Sequence, residues 1–280
     1  MKGDGWCPLM QLMTSIVFGK HRPSTSSADK KVPLDETELR EALPKLFRGF
    51  IRVHDSSNAY TTSTLADLIA EHFASFAPSD DHPFKTTLDQ LWAEEGGEVF
   101  LSFMVETLTK RFLTREISDR TLKALQFLRC LFASPAVSRR LAPILLRPLL
   151  DLLLSLPPQS TLSPHLPPQS TLSAQREALA LLRSCLGHLN ASAADLFRLH
   201  LNPWLSRNLP FASGQTFRLL RVMFAFCPSL VSSASVEADL LSLVEDVERK
   251  SGLGVNKKLR NELSEFLNKT KSSASKTGSR

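Results

Sequence analysis

Residues 118–156 read SDRTLKALQFLRCLFASPAVSRRLAPILLRPLLDLLLSL. They divide into two consecutive helices too apolar to stand alone in water, so the rest of the chain must cover them. Ser118 is an N-cap by residue type, and Asp119 sets a negative charge against the positive end of the helix dipole. Leu122, Leu125, Leu128, Leu131 and Phe132 recur at steps of three and four and so share one face. Ser134-Pro135 ends this helix, because proline disfavours helical geometry in the residue before it. From about Ala136 the second helix carries Leu141, Ile144, Leu145, Leu146, Leu149, Leu150, Leu152, Leu153 and Leu154. That band is wider than a single stripe, which predicts a central helix contacted from several sides. Pro143 and Pro148 each remove a backbone donor and predict a kink or a split. Arg147 and Asp151 interrupt the run, which is shorter than the roughly 20 residues a bilayer span needs, so no integral membrane segment is expected.

Outward from this pair, the pattern is helical almost throughout. Residues 1–20 read as a short helix that packs Leu9, Leu12, Met13 and Ile16, with Asp4, Gln11 and Thr14 breaking up a signal-peptide core. Residues 21–33 are a polar, Ser-rich linker. Asp35 with Glu38 forms a variant capping box ahead of Leu39, Leu43, Leu46, Phe47, Phe50 and Ile51, in a helix that Pro44 should bend. Leu65, Leu68, Ile69, His72, Phe73 and Phe76 make the cleanest amphipathic face. His72 reads there as a packed residue, since no second ligand falls at a neighbouring turn. A short helix at 86–92 and an acidic break at 94–98 lead into a helix at 99–114 with Phe100, Phe103, Met104, Leu108 and Phe112 inside. Gly96-Gly97 lacks the Lys-Ser/Thr of a phosphate loop and is flanked by carboxylates.

Beyond the central pair, LPPQSTLS occurs at 156–163 and again at 166–173. Two copies cannot build a solenoid, so 156–173 reads as an exposed inserted loop, a duplication or else a phosphorylatable segment through Ser160, Ser163, Ser170 and Ser173. Further helices follow: one through Ala178, Leu182, Cys185 and Leu189; one from Ala194 to a stop at Asn202-Pro203; one at 213–226; one capped by Ser235; and a last at 255–267. Residues 269–280 read as a disordered basic tail.

Composition agrees with a helical chain: apolar residues make up 42% and charged residues 22%, and 17 Phe stand against one Tyr. Cys7, Cys130, Cys185 and Cys227 are far apart, with no Cys-x-x-Cys, which argues against structural zinc and for a reducing compartment. G-x-S-x-G, H-E-x-x-H, G-x-G-x-x-G and an EF-hand loop are all absent, so neither an enzyme nor a cofactor is expected.

About eleven helices joined by Pro- and Ser-containing loops predict an all-α domain at 34–268, built of irregular stacked antiparallel helix pairs. In this rhythm, residues 35–267 resemble an armadillo/HEAT-like α-solenoid. The resemblance implies a scaffold or adaptor that binds a protein partner, and the atypical N-terminal element fits the terminal part of a longer scaffold. Net charge is +6. Between Lys110 and Arg147, nine basic residues face two acids, Glu116 and Asp119. Lys110, Arg111, Arg115, Arg120, Lys123, Arg139, Arg140 and Arg147 are therefore the candidate ridge for an acidic partner segment. Lys257, Lys258, Arg260, Lys269 and Lys271 are candidate phosphate contacts for the alternative reading, a nucleic-acid-binding factor. A third reading lays the last helix on a membrane surface. Basicity leans the expected location toward the nucleus.

Overall fold

The computed structural model describes residues 45, 48, 60–72, 89–114, 116–156, 169–189, 191–251 and 255–277. No strand occurs among the described residues, and the fold is all-α. The expected helix at 1–20, the linker at 21–33, the Pro44 bend, Phe73, Phe76 and the first LPPQSTLS copy after Leu156 lie outside the described residues.

Helix α1 (Tyr60–His72) buries Leu65, Ala66, Ile69 and Ala70, and α2 (Gly97–Phe112) buries Phe100, Leu101, Met104, Val105 and Leu108. Ahead of α2, Gly96 takes φ 81°, where a side chain would be strained. A Cβ on Gly97 would lie 1.9 Å from the Leu91 carbonyl oxygen, so only glycine allows this close entry. Helix α3 (Asp119–Leu131) starts as its sequence predicts. The Thr121 amide donates to Ser118 Oγ at 3.3 Å, and the Ser118 amide donates to Thr121 Oγ1 at 3.2 Å, a reciprocal capping box.

Helix α4 (Pro135–Ser155) is the central one and buries eight apolar side chains with Ser138 and Ala142. Each buried Leu contributes on the order of 1.5–3 kcal/mol. The expected split at Pro143 and Pro148 does not occur: α4 is one helix through both prolines. The reason lies in which face they occupy. Pro143 and Pro148 leave the carbonyls of Arg139 and Ile144 without their i+4 donors; Arg139 is exposed and Ile144 half-buried. Those orphan acceptors point toward the wetter side of the helix, where water can satisfy them.

Helix α5 (Gln169–His188) begins inside the second LPPQSTLS copy, four residues before the expected end of the loop at 173. The Gln-Ser-Thr-Leu-Ser portion is helical because Ala174 and Ala178 behind it are fully buried and anchor the turn. The expected stop at Asn202-Pro203 is also absent. Helix α6 (Ala193–Asp195), capped by Ser192 Oγ accepting from the Asp195 amide, runs through a π-helical segment (Leu196–Leu201) into α7 (Asn202–Phe226). Pro203 falls in the first turn of α7, where its missing N–H is least missed, and the wider π turn ahead of it relieves crowding by the ring. The chain breaks instead at Ala212 (φ −141°, ψ 43°), just before the expected helix start at Ser213.

A single turn, α8 (Ser229–Ser232), leads to α9 (Ala234–Ser251) and α10 (Lys257–Thr277). The expected disordered tail is helical as far as Thr277. Thr270, nearly fully buried, donates to the Phe266 carbonyl at 3.0 Å, and Lys269 pairs with Glu265 one turn back, so the helix does not end at Leu267.

Two rows of helices organise the packing. Helices α1, α3 and α5 contact one another in succession, and so do α2, α4 and α7. The broadest contact between the rows is α4 on α5. Each row thus joins every second helix, as stacked helix pairs require. At the far end α7 carries α9 and α10, with Phe266 of α10 packed against Phe217 and Phe224.

Candidate partner-binding surface

Among the described residues, the ion pairs between neighbouring helices in these rows join an arginine to a carboxylate far away in sequence. Arg111 on α2 forks onto Asp67 of α1 at 2.7 and 2.8 Å and also reaches Ser63. Arg120 on α3 meets Glu71 of α1 at 2.6 Å, and Lys123 donates to the Glu71 carbonyl. Arg129 on α3 meets Glu177 of α5 at 3.0 Å. Arg140 on α4 meets Glu98 of α2 at 2.5 Å. Between α4 and α7, Asp151 accepts from Arg207 at 2.5 and 2.7 Å and from the fully buried Trp204 indole at 2.8 Å. A planar guanidinium suits such forked contacts, and here it acts as a clip between adjacent helices.

These clips divide the predicted ridge. Lys110 pairs with Glu106 on its own helix at 3.1 Å. Arg111, Arg120, Lys123 and Arg140 are engaged by neighbouring helices, and Arg115 lies outside the described residues. Arg139 and Arg147 are exposed and have no ion-pair partner among the described residues. They flank Pro143 along the outward side of α4, about 12 Å apart along the axis at 1.5 Å per residue. The structure therefore does not bring the seven described ridge residues into one free surface; it leaves an exposed cationic stripe on the central helix.

The second group divides similarly. Lys257 and Lys258 are exposed in the first turn of α10. Arg260 instead forks onto Glu248 of α9 at 2.7–3.1 Å, and Glu248 also accepts from the Asn256 amide at 2.9 Å. The Arg260 hydrogen bonds hold the Glu248 carboxyl below its ordinary range, outweighing the opposing effect of desolvation. Glu265 is likewise held down by Lys269, so neither Arg260 nor Lys269 is a loose cation. Lys271 lies on α10, and its side chain is outside the described residues.

Sequence reasoning missed Asp67, Glu71, Glu98 and Glu177, the acids that pair with arginines between Lys110 and Arg147, and Asp151, which takes Arg207 and the Trp204 indole. Each lies 42–56 residues from its partner, about one helix pair away along the chain. A search for opposite charges at that separation was the available signal. Burial pushes the Cys185 thiol well up, which suits a packed thiol and not a reactive one. Among the described residues, no helix is long and apolar enough to cross a membrane.

The helices clipped together in two rows define an all-α class of protein. Over residues 23–269 the chain matches the family model described as S-phase genomic integrity recombination mediator, C-terminal, and it belongs to that family. No match is found among curated proteins, and none among solved structures.

Proposed function

We propose that the chain is a non-enzymatic helical scaffold of a nuclear genome-maintenance complex, and that it holds an acidic segment of a protein partner along the outward side of α4. The observation that carries this reading is the division of the cations. Arg111, Arg120 and Arg140 already face carboxylates, whereas Arg139 and Arg147 stand exposed on the central helix. An incoming carboxylate would find two unneutralised guanidinium groups on a helix held rigid from several sides. Rigid presentation lowers the ordering cost of binding. Membership of a recombination-mediator family supports both the complex and the nuclear setting.

The test is capture of the tagged chain from S-phase cells at about 100 and about 400 mM salt, with and without R139E/R147E. A stoichiometric partner that persists at the higher salt and is lost from the variant supports the reading. Retention by the variant removes it. The alternative, phosphate contact through Lys257 and Lys258 at the start of α10, rests on their exposure. It predicts that nucleic acid is recovered at the lower salt and lost at the higher, because each neutralised phosphate steepens the salt dependence.

A further inference from the structure

The last helix joins the stack along one narrow seam. Leu259, Leu263, Phe266 and Thr270 of α10 are buried at steps of four, three and four, a single stripe, and α10 packs mainly on α7. The Phe266 ring centre lies 5.6 Å from that of Phe217 and 5.2 Å from that of Phe224. Beside this apolar stripe the polar groups fit badly. Glu262 Oε2 and Arg221 Nε are buried without a hydrogen-bond partner, the two side-chain atoms in that state among the described residues. Both belong to the same seam. Glu262 of α10 lies over Gly214 of α7, where a Cβ would come within 3.2 Å of Glu262 Oε1. Arg221 of α7 faces α10 as well, since the Glu265 carboxyl is held low first by Lys269 and then also by the charges of Arg221 and Arg218.

A buried polar atom without a partner has lost its water and gained nothing, and it recovers that water when the surface opens. The closed seam therefore carries a penalty that the Phe266 contacts must outweigh. A separate latch ties the start of α10. Arg260 forks onto Glu248 of α9 at 2.7–3.1 Å, and the Asn256 amide donates to the same carboxylate at 2.9 Å. We propose that α10 is a latch-held lid that leaves α7 as one unit while the rest of the stack stays folded, uncovering Phe217 and Phe224 and freeing Arg260 from Glu248. The aromatic contacts favour the closed state, the unmet atoms of Glu262 and Arg221 favour the open one, and the Arg260 latch sets the balance. Proteins open locally in such units wherever one element is held less firmly than the whole. The lid does not involve the α4 stripe.

Hydrogen exchange of the full chain at neutral pH, read by mass spectrometry, tests this. Residues 259–270 are expected to share one protection factor, about tenfold or more below that of residues 141–153 in α4. E262M keeps the length of the side chain and removes the unmet oxygen, so protection over 259–270 should rise about fivefold or more. R260A removes the latch and should lower it by a similar factor, with 141–153 unchanged in both variants. A protection that falls steadily from 259 toward 277 would overturn the proposal, because the helix would then fray from its end and not leave as a unit. So would protection over 259–270 equal to that of α4, no gain in E262M, or an equal loss in both segments of R260A.

Discussion

Helices α4 and α7 both carry prolines past their first turns, yet α4 stays one helix through Pro143 and Pro148 while α7 loses helical geometry at Ala212, two residues after Pro210. Composition does not separate them, but packing does. On α4 the buried leucines of consecutive turns are held by helices of both rows, and the unsatisfied carbonyls fall on the wetter side. The first half of α7 has an open cleft on one side and Phe211 in water at the break. After the break, α7 is held by α10 through Phe217 and Phe224. A proline is tolerated where surrounding contacts over-determine the helix, and it becomes a break where one flank is free.

The largest effect is expected in the core of α4. Leu149→Ala should cost about 2–5 kcal/mol, read as a lowered urea midpoint, whereas Phe211→Ser on α7 should stay within about 0.5 kcal/mol. A comparable loss in both would erase the contrast between the two helices. Next is the clip that joins them. Asp151→Ala removes the acceptor of the Trp204 indole and of Arg207 and should cost about 1–3 kcal/mol, with a red shift of Trp204 fluorescence as its surroundings become wetter. Replacing the prolines sharpens the comparison at a smaller scale. Pro143→Ala restores a donor to an already continuous helix and should stabilise by about 1 kcal/mol. Pro210→Ala should gain less, because the bend at Ala212 is kept by the packing of α7 on α10.

A pH effect separates α9 and α10 from the rest. The Glu248 carboxyl is held below its ordinary value of about 4.5, chiefly by hydrogen bonds from Arg260. Its contribution to stability is therefore complete above that value and is lost as pH falls through the lowered one. Urea midpoints between about pH 5 and pH 3 should drop more steeply for the unaltered chain than for R260A. Parallel curves would show that the pair does not stabilise the end of the fold.

The all-α class, the Ser118 cap and the apolar band of α4 are readable from sequence because local periodicity and capping chemistry fix them. The behaviour of the prolines was not, since it depends on which face each occupies in the packed molecule. Nor was the helical state of Gln169–Ser173, which depends on Ala174 and Ala178 behind it being buried in the packed molecule. The ridge was half readable. Counting charges within 110–147 finds the arginines but cannot see Asp67, Glu71 or Glu177, which approach from other helices. The cleft beside α9 left no local signal, since its walls come from two helices far apart in the chain.

The most direct test compares two double charge reversals for both stability and partner retention: R139E/R147E on the free stripe and R120E/R129E on the clips. R139E/R147E should keep its melting temperature and lose the partner, and R120E/R129E should melt lower and keep the partner while folded. If both variants lose the partner to the same degree at unchanged melting temperature, the clips are part of the binding surface and the division of the ridge is wrong.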